Sequence, residues 1–252
     1  MKRKGKEVFI KKHKVHLGIP IVLLTIGILE VSSIIFVDTM SATRLQQRMN
    51  SFGMWHGVIY DSSEELETKL SDNAMVEKIG HMTICGDICD KNGVSIGSIG
   101  FADQDMIEIG KIDLLDGRLP TKPNDIALET YVLNSLGCSY ELGQKINLNV
   151  QVYDSMNNAS VECVSFNLCG VVRNYSNNWK TSSNRIISGY VSPSFSQIEG
   201  TVQHLFIKLD DRYVSYAKDL EELCSYRLIL NDYTYLEYSE EQTEYTYSKE
   251  LL

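Results

Sequence analysis

Apolar residues form one long stretch near the start of the chain. Residues 15–37 are mostly Leu, Ile and Val. In a helix with ~1.5 Å rise per residue, roughly 23 residues span about 34 Å, which is enough to cross a bilayer core. The pattern predicts a transmembrane helix over 15–37. The next residues are polar and contain no helix breaker, so we expect a stalk over 38–52 that ends before Gly53.

A secretory signal peptide is the competing interpretation of a basic start and an apolar stretch. Signal peptides have an apolar region of about 7–15 residues that ends at a small-x-small cleavage site. Here the stretch is longer, and residues 38–43 offer no such site. The sequence therefore favours an uncleaved anchor.

A strand, a helix and a strand are predicted directly after the stalk. Aromatic and β-branched residues indicate a strand at 55–60 and a second strand at 76–83. Between them, Ser62-Ser63-Glu64-Glu65 matches a capping box, with Asp61 or Ser62 as the cap of a helix that runs to about Leu70. These three elements form a βαβ unit.

The same order of elements returns near the end of the chain. Residues 203–209 predict a strand, 210–224 a helix with apolar residues at helical spacing, and 226–230 a strand. Two such units that are separated in sequence predict an α+β fold. In this fold, a split βαβ subdomain holds a β-rich insertion.

The intervening segment is irregular and punctuated by glycine. Residues 107–112 and 115–120 are expected to form short strands and turns. Residues 124–129 lead into a short helix over 130–136, which Gly137 stops as a C-cap. Alternating apolar residues at 146–152 and 161–172 predict a hairpin with a polar turn at 154–160. Residues 174–184, which include Trp179, are expected to be a polar loop.

Charge is distributed unevenly along the chain. Seven of the 24 Lys and Arg residues but only one of the 33 Asp and Glu residues precede position 15. The positive-inside rule therefore predicts a cytoplasmic tail over 1–14 and an extracellular location for nearly everything after about residue 38. The rest of the chain has 17 basic against 32 acidic residues. This excess repels phosphate, so we expect no nucleic-acid partner; a cationic peptide, or simply solubility, suits the surface better.

Six cysteines permit up to three disulfides outside the membrane. Most of them lie in apolar runs, where a free cysteine behaves as a small buried hydrophobe, and this structural role is the default interpretation. Cys85 and Cys89 have the one spacing that would allow a local disulfide. The spacing of cysteines and histidines does not match a zinc site, so no metal or other cofactor is expected.

Four short motifs, taken together and in order, resemble those of a known protein family. They are Leu115-Asp116-Gly117-Arg118-Leu119-Pro120, Asn124-Asp125-Ile126-Ala127-Leu128, Leu136-Gly137 and Leu142-Gly143-Gln144-Lys145-Ile146. In this order and at these spacings they resemble the extracytoplasmic domain of MacB/FtsX-like ABC transporter permeases. Gln144 replaces the acidic residue that is usual in that family. Each motif alone is a turn or a cap, so Gly117, Arg118, Pro120, Gly137 and Gly143 are interpreted as structural residues.

The resemblance covers roughly residues 15–235 and implies an arrangement of parts. It implies a first transmembrane helix, a split α/β subdomain over 53–85 and 201–235, and an inserted β-rich subdomain over 86–200. Residues 236–252 would then lead toward a second transmembrane helix. Family members continue into three more helices, so the chain is expected to be either a fragment or a truncated paralogue, and its tyrosine-rich ending favours a fragment.

Catalytic motifs are not found in the sequence. Phosphate-loop, G-x-S-x-G and H-E-x-x-H patterns do not occur. Asp103 with Asp105, and Asp210 with Asp211, could serve as acid–base pairs, but a turn and a helix start explain them. The five histidines have no Ser or Cys partner that spacing would suggest. We therefore expect no catalytic residue and no enzyme activity.

Glu30 is the one carboxylate within the predicted span. A charge inside a bilayer is costly and is usually shielded by another helix or a polar cavity. The first hypothesis is that Glu30 contacts further membrane helices. The alternative is that it lies close enough to the outer headgroups to stay hydrated.

The sequence leaves two principal functions open. The resemblance implies a non-catalytic permease component whose outer domain couples ATP-driven motion to the export or handling of peptide or lipid-linked substrates. Its expected partners are a separate ATP-binding subunit, a second permease copy or paralogue, and membrane lipid. The alternative is a single-pass, membrane-anchored binding or sensor protein, and a membrane-bound enzyme is the weakest option.

Overall fold

The computed structural model describes residues 3–154, 158–179, 185–195, 201–224 and 227–231, with side chains from residue 21 onward except that of residue 223. The chain forms two compact units, Met1–Gln47 and Arg48–Leu252. The first consists of most of helix α1, and the second contains all of the strands. The predicted α+β fold with one N-terminal apolar helix is confirmed.

Sixteen helices and strands follow one another along the described residues. They are α1 (Arg3–Phe52), β1 (Gly57–Ile59), α2 (Glu64–Ser71), β2 (Val76–Cys89), β3 (Ser95–Ala102), α3 (Gln104–Ile109), β4 (Leu114–Gly117), β5 (Asp125–Glu129), α4 (Thr130–Leu136), β6 (Lys145–Tyr153), β7 (Ala159–Val172), α5 (Ser176–Trp179), β8 (Ile187–Val191), β9 (Val202–Leu209), α6 (Ala217–Leu223) and β10 (Leu228–Leu230). Short 3-10 helices are present at Pro193–Phe195 and Asp211–Tyr216.

Helix α1 contains the apolar stretch. Within the described residues, Ile21–Phe52 is the one helical segment that is long and apolar enough to cross a membrane. Large apolar side chains such as Leu24 and Leu29 are exposed on it, as expected of a surface that faces lipid. The helix continues through the polar residues to Phe52, while its division into a membrane span and a stalk stays a prediction.

The strands form one mixed sheet. Its order is β10-β1-β9-β2-β3-β8-β5-β7-β4, and β6 pairs with both β2 and β7. Strand β9 lies antiparallel between β1 and β2, while β1 lies antiparallel between β9 and β10. The two predicted βαβ units are therefore interleaved, as in a split βαβ arrangement.

Strand β2 joins the interleaved strands to the rest of the sheet. Its pairing with β9 ends at Ile84, and its pairing with β6 begins at Asp87. The boundary predicted after residue 85 therefore falls inside β2, and the sheet continues through it. The division of the second unit into two subdomains stays a prediction.

Three predicted elements are wrong in detail. Residues 107–112 do not form a strand; Gln104–Ile109 is a helix because the Asp103 side chain accepts a hydrogen bond from the Met106 amide and caps it. The capping box is also wrong, since the cap of α2 is Ser63 and its side chain makes no capping bond. The helix predicted over 210–224 begins as the 3-10 helix Asp211–Tyr216.

The prediction of a polar loop over 174–184 is also wrong for the part that the structure describes. Residues Ser176–Trp179 form the short helix α5, and Trp179 is buried. Residues 180–184 lie outside the described residues. Exposing a large indole ring to water costs free energy. Burial of Trp179 therefore draws this polar segment onto the core.

The cysteines are all free. Cys85 and Cys89 are both buried on β2, so the local disulfide considered from their spacing does not form. Burial raises the pKa of the Cys85 thiol to about 11, which keeps it protonated. This agrees with the role of a small buried hydrophobe.

Candidate functional site at the end of helix α1

Helix α1 ends in a tight turn at Gly53. This residue has a φ of +79°, in the left-handed region that side chains disfavour. Its amide donates to the Met49 carbonyl at 2.9 Å and so closes the helix. A Cβ atom at position 53 would lie 2.5 Å from Cδ1 of Trp55, so glycine allows Trp55 to fold back beneath the helix end. All of these residues belong to the second unit.

Side chains from two distant segments bind the terminal carbonyls of α1. The Ser51 carbonyl accepts hydrogen bonds from Nε1 of Trp179 at 3.3 Å and Nδ2 of Asn178 at 3.2 Å. The Phe52 carbonyl accepts one from Nδ2 of Asn231 at 3.0 Å. The last carbonyls of a helix have no partner within it and carry the negative end of its dipole. These donors therefore bind α1 where its own hydrogen bonding stops.

Asn231 also binds the chain that leaves the helix. Its Nδ2 donates to the Trp55 carbonyl at 2.9 Å, and its main-chain amide donates to the His56 carbonyl at 2.9 Å. Asn231 directly follows β10 and is buried. It thereby joins the end of the sheet to the last residue of α1.

Aromatic rings pack around the same turn. Trp55 meets Trp179 edge to face at 5.7 Å between ring centroids, and Phe206 at 5.2 Å. Trp179 also contacts Tyr175 at 4.5 Å. Nε1 of Trp55 has no hydrogen-bond partner among the described residues, although it is buried. The Trp55 ring therefore acts through its packing, whereas Trp179 both packs and donates.

A buried carboxylate fixes the position of Trp179. Glu129, at the end of β5, accepts hydrogen bonds from the Tyr175 amide at 2.8 Å and from the Ser176 amide at 2.9 Å. Its other oxygen accepts from the Ser176 hydroxyl at 2.6 Å. A charge without solvent requires such donors. Glu129 thus holds the start of α5 and, through it, the indole that binds α1.

His56 lies between the turn and β1 and is held neutral. Its Nδ1 accepts a hydrogen bond from the Leu209 amide at 3.0 Å. Burial, followed by the charge of Lys208, lowers the pKa of His56 to about 4. The junction, by which we mean residues 51–56 with Trp179, Asn178, Asn231 and Glu129, therefore contains a neutral imidazole at neutral pH.

The residues predicted from the family motifs lie elsewhere in the sheet and its turns, between residues 117 and 143. Gly117 has a φ of +78° and Gly143 one of +85°, while Gly137 is the left-handed C-cap of α4, as predicted. Arg118 donates to Asp125 at 2.5 Å and to Thr121 in the turn that contains Pro120. These contacts shape turns, and the residues do not join the junction.

The remaining candidates, Glu30 and the aspartates, also lie outside the junction. Glu30 lies on the surface of α1 beside Ile26 and Ile34, and its contact with other membrane helices stays a prediction. Asp103 pairs with His81 at 2.5 Å, and Asp210 pairs with Arg212 at 2.8 Å. Both aspartates also cap helix starts, so their contacts are structural.

Sequence reasoning missed the residues that form the junction. The sequence predicts a loop at Trp179, and it does not mark Asn178, Asn231 or Glu129 as binding residues. One signal was present, since a tryptophan within a polar segment seldom remains exposed. No local pattern identifies the asparagines, because their partners lie 127 and 179 residues away.

Comparison with known proteins gives structural matches alone, since no sequence-family model and no curated protein matches the chain. The chain is structurally similar to the periplasmic region of MacB from Actinobacillus actinomycetemcomitans, with 12% identity and a TM-score of 0.41 over 78% of this chain and 97% of that one. It is also similar to the extracellular domain of the noncanonic ABC-type transporter YknZ from Gram-positive bacteria, with 12% identity and a TM-score of 0.37 over 69% of this chain and 98% of that one. The first of these is a periplasmic region, and the second is an extracellular domain.

Proposed function

We propose that this chain is the non-catalytic, membrane-anchored outer part of an ABC transporter permease. Residues 1–14 would lie in the cytoplasm, α1 would cross the membrane, and the second unit would lie outside. The function would be to couple ATP-driven motion of a separate subunit to the export or handling of peptide or lipid-linked substrates. A second permease copy or paralogue would be a further partner in the transport path.

The observation that carries this proposal is the way the end of α1 is bound. Three side-chain donors reach the Ser51 and Phe52 carbonyls from α5 and from the end of β10. A helix that served merely as an anchor could be joined to its domain by any flexible segment. A bound helix end, in contrast, would transmit displacement of the helix into the sheet. If the helix moved without the sheet, the hydrogen bonds and the aromatic contacts would have to break together.

Two further features support the proposal. The ordered motifs from Leu115 to Ile146 resemble those of permease outer domains. The uneven charge, with a basic start before the apolar stretch and an acidic remainder, supports a cytoplasmic N-terminus by the positive-inside rule. We infer the membrane orientation from this charge pattern.

The test uses the complex assembled in its native membrane with its ATP-binding subunit. Inserting Gly-Gly after Arg44 should interrupt α1 and uncouple movement of the outer unit from ATP hydrolysis, because two glycines cost about 2 kcal/mol of helix stability and introduce a swivel. The readout is the ATP-dependent change in distance between spin labels at Cys163 and on the partner subunit. The matched control inserts Gly-Gly after Asn92, in the exposed turn between β2 and β3.

The expected result is loss of the ATP-dependent distance change in the Arg44 insertion and its retention in the Asn92 insertion. Equal behaviour of the two insertions would overturn the coupling role. An outer unit that never responds to ATP, in a chain that assembles with no ATP-binding subunit, would support the single-pass binding protein instead.

A further inference from the structure

Strand β7 has a free edge along its first half. Residues 159–167 pair with β6. Strand β5 joins β7 only from Asn167 onward, and β4 only from Gly170 onward. Among the strands that the structure describes, the first half of β7 is therefore paired on the β6 side alone. Residues 159–163 are all exposed.

The hydrogen-bond pattern of the β6–β7 hairpin indicates which backbone groups lie on this free edge. In an antiparallel pair, hydrogen-bonded residue pairs alternate with pairs that are not hydrogen-bonded. The Asp154 amide donates to the Asn158 carbonyl at 3.1 Å at the closed end of the hairpin. Every second pair from there is hydrogen-bonded, beginning with Val152 and Ser160. The backbone N–H and C=O groups that point away from β6 are therefore those of Ala159, Val161 and Cys163.

This edge lacks the residues that usually keep strand edges from pairing. Natural edge strands are protected by lysine, proline or a β-bulge. Residues 159–164 include no lysine or proline, and their pairing with β6 has no register shift. The one charged residue, Glu162, is opposite the buried Val150 and shares its face of the hairpin. Val161 lies on the other face and is 61% exposed, so the edge is suited to accept another strand.

We propose that this edge binds the same edge of a second copy of the chain, in an antiparallel strand pair about a two-fold axis. The register centred on Val161 places the two Val161 residues opposite each other. Ala159 then lies opposite Cys163 of the second copy, and Glu162 lies opposite Ser160. A register centred on Glu162 would instead bring two carboxylates together, and like charges that are directly opposite destabilise a strand pair. The register centred on Val161 is therefore favoured.

Main-chain hydrogen bonds would supply most of the contact. The central Val161 pair and the Ala159–Cys163 pair on each side of it are hydrogen-bonded pairs, and each pair exchanges two bonds, so about six would form. Two β-branched residues directly opposite each other add to the stability of a strand pair. The arrangement is closed because each copy uses its one edge once, so it yields a dimer and not a fibre.

The proposal rests on the proposed function, since it names the surface through which a second permease copy would associate. An extended peptide from another protein could occupy the same edge. Such a peptide would not produce the two-fold register, so the register distinguishes the two occupants.

Cysteine cross-linking tests the register with the full chain, in membranes of cells that express it without the ATP-binding subunit. Ala159→Cys places a thiol opposite the native Cys163 of the second copy, at about 5.5 Å between Cα atoms, a separation that disulfides span. In the unchanged chain, the two Cys163 residues would lie four residues apart along the strands, about 14 Å, which is too far.

The oxidant is diamide, which takes up the two hydrogen atoms that each pair of thiols releases as its disulfide forms. We expect Ala159→Cys to give disulfide-linked dimers on a non-reducing gel, with at least about ten times the yield of the unchanged chain. Ser165→Cys is the matched control. It introduces a thiol at another exposed position of β7, far from Cys163 of the second copy in the proposed register, and should give no more dimer than the unchanged chain.

Variants of Val161, made together with Ala159→Cys, show whether the edge itself mediates the contact. Val161→Pro removes an outward N–H group without removing a bond to β6, and it should lower the dimer yield at least about five-fold. Val161→Lys leaves the backbone unchanged but places two like charges opposite each other, and it should also lower the yield. Val161→Thr keeps the N–H group and the β-branched shape and should retain the yield. Urea unfolding shows that each variant is folded.

Four results would overturn the proposal. Equal yields from Ala159→Cys and Ser165→Cys would show random collision, and undiminished dimer in Val161→Pro and Val161→Lys would show that the copies meet elsewhere. Dimers of the unchanged chain through Cys163 would require a different register, and linked species larger than a dimer would exclude a closed pair. Failure of this pairing is distinguishable from failure of the coupling role, since cross-linking needs no ATP-binding subunit and the Gly-Gly insertions are measured by ATP-dependent movement.

Discussion

The carboxylate of Glu129 accepts a hydrogen bond from the hydroxyl of Ser176 at 2.6 Å. Glu129 ends β5, and Ser176 begins α5, the helix that carries Trp179. The indole of Trp179 donates in turn to the Ser51 carbonyl. One series of contacts therefore runs from β5 to the last turn of α1, and its buried carboxyl group makes it sensitive to substitution.

Glu129→Gln should lower the free energy of unfolding by about 1.5–3 kcal/mol. The carboxylate accepts hydrogen bonds from the Tyr175 and Ser176 amides and from the Ser176 hydroxyl, whereas in the amide an NH₂ group, which cannot accept, replaces one of the two oxygens. Ser176→Ala keeps both main-chain donors and should cost about 1 kcal/mol. Urea unfolding followed by tryptophan fluorescence measures both, because the two tryptophans of the chain, Trp55 and Trp179, lie at the junction.

Glu141→Gln provides the control for this prediction. Glu141 is exposed, and its substitution should change stability by less than about 0.5 kcal/mol. If Glu129→Gln costs no more than Glu141→Gln, the carboxylate does not hold α5 in place.

Trp179→Phe should destabilise the second unit more than Trp55→Phe, by about 1 kcal/mol. Both substitutions remove one ring from the same aromatic cluster, so their packing losses are similar. They differ because Nε1 of Trp179 donates to Ser51, whereas Nε1 of Trp55 has no partner among the described residues. Removing a bonded donor loses a hydrogen bond, although Asn178 still donates to the same carbonyl, while removing an unbonded donor relieves a desolvation penalty.

Urea unfolding followed by far-ultraviolet circular dichroism compares the two variants, since that signal does not depend on the indoles. Equal losses would mean that the hydrogen bond to Ser51 contributes nothing to stability. The aromatic packing and the hydrogen bonds from Asn178 and Asn231 would then hold the helix end.

His81 should stabilise the fold in acid and lose this effect in base. Its Nδ1 pairs with Asp103 at 2.5 Å and its Nε2 with Glu67 at 2.9 Å. The hydrogen bond to Asp103 raises the pKa of His81 to about 9; burial opposes this rise, and the bond to Glu67 adds to it. The stabilisation is therefore complete below the ordinary pKa of 6.5 and is lost as pH rises through about 9.

His81→Asn measures this contribution. The variant should be less stable than the wild type by on the order of 1–2 kcal/mol at pH 6, and the difference should shrink as pH rises from 7 to 10. The difference between the two proteins removes the titration of other groups from the comparison. A gap that stays constant with pH would show that the ring acts through packing and not through its charge.

His56 should have the opposite pH dependence. Burial lowers its pKa to about 4, and protonation of Nδ1 would remove the acceptor of the Leu209 amide. Its contribution is therefore present above about pH 6.5 and is lost as pH falls toward 4. His56→Asn keeps an acceptor oxygen and cannot gain a proton, so the variant should lose less stability than the wild type between pH 6.5 and 4.5.

Urea midpoints at pH 7 and pH 4.5 test the His56 prediction. His204 is buried as well, and burial also lowers its pKa, so both proteins retain some acid sensitivity. Between pH 7 and pH 4.5, the wild type should nevertheless lose roughly 1–2 kcal/mol more stability than the His56→Asn variant. Identical losses would exclude His56 as a source of acid sensitivity.

Strong local patterns allowed most elements of the fold to be predicted from the sequence. The apolar stretch before residue 38, the hairpin that became β6 and β7, and the left-handed Gly137 each follow from residues close together in the chain. Helix α3 was missed because its apolar residues Met106 and Ile109 also suit a short strand. The decisive feature was the Asp103 cap, which sequence reasoning had placed in a turn.

The junction could not be predicted for a different reason. Asn231 binds α1 because β10 is added to the edge of the sheet beside β1, and no feature near residue 231 indicates that pairing. Glu129 reads as an ordinary polar residue between a strand and a helix, and only the fold shows that it is fully buried. Long-range hydrogen bonds of this kind depend on topology, which short sequence patterns do not encode.

Thiol labelling should separate the cysteines by their environment. All six are free, Cys163 is exposed on β7, and Cys85 is buried with a pKa that burial raises to about 11. The thiolate is the reactive form, so Cys163 should react with iodoacetamide at pH 8 at least about ten times faster than Cys85. Mass spectrometry of digested protein reads out each site, and labelling in urea provides the reference in which the two rates converge. Protection of Cys163 under oxidising conditions would instead reveal a disulfide between chains, since this thiol faces outward and has no neighbouring cysteine on its strand closer than Cys169.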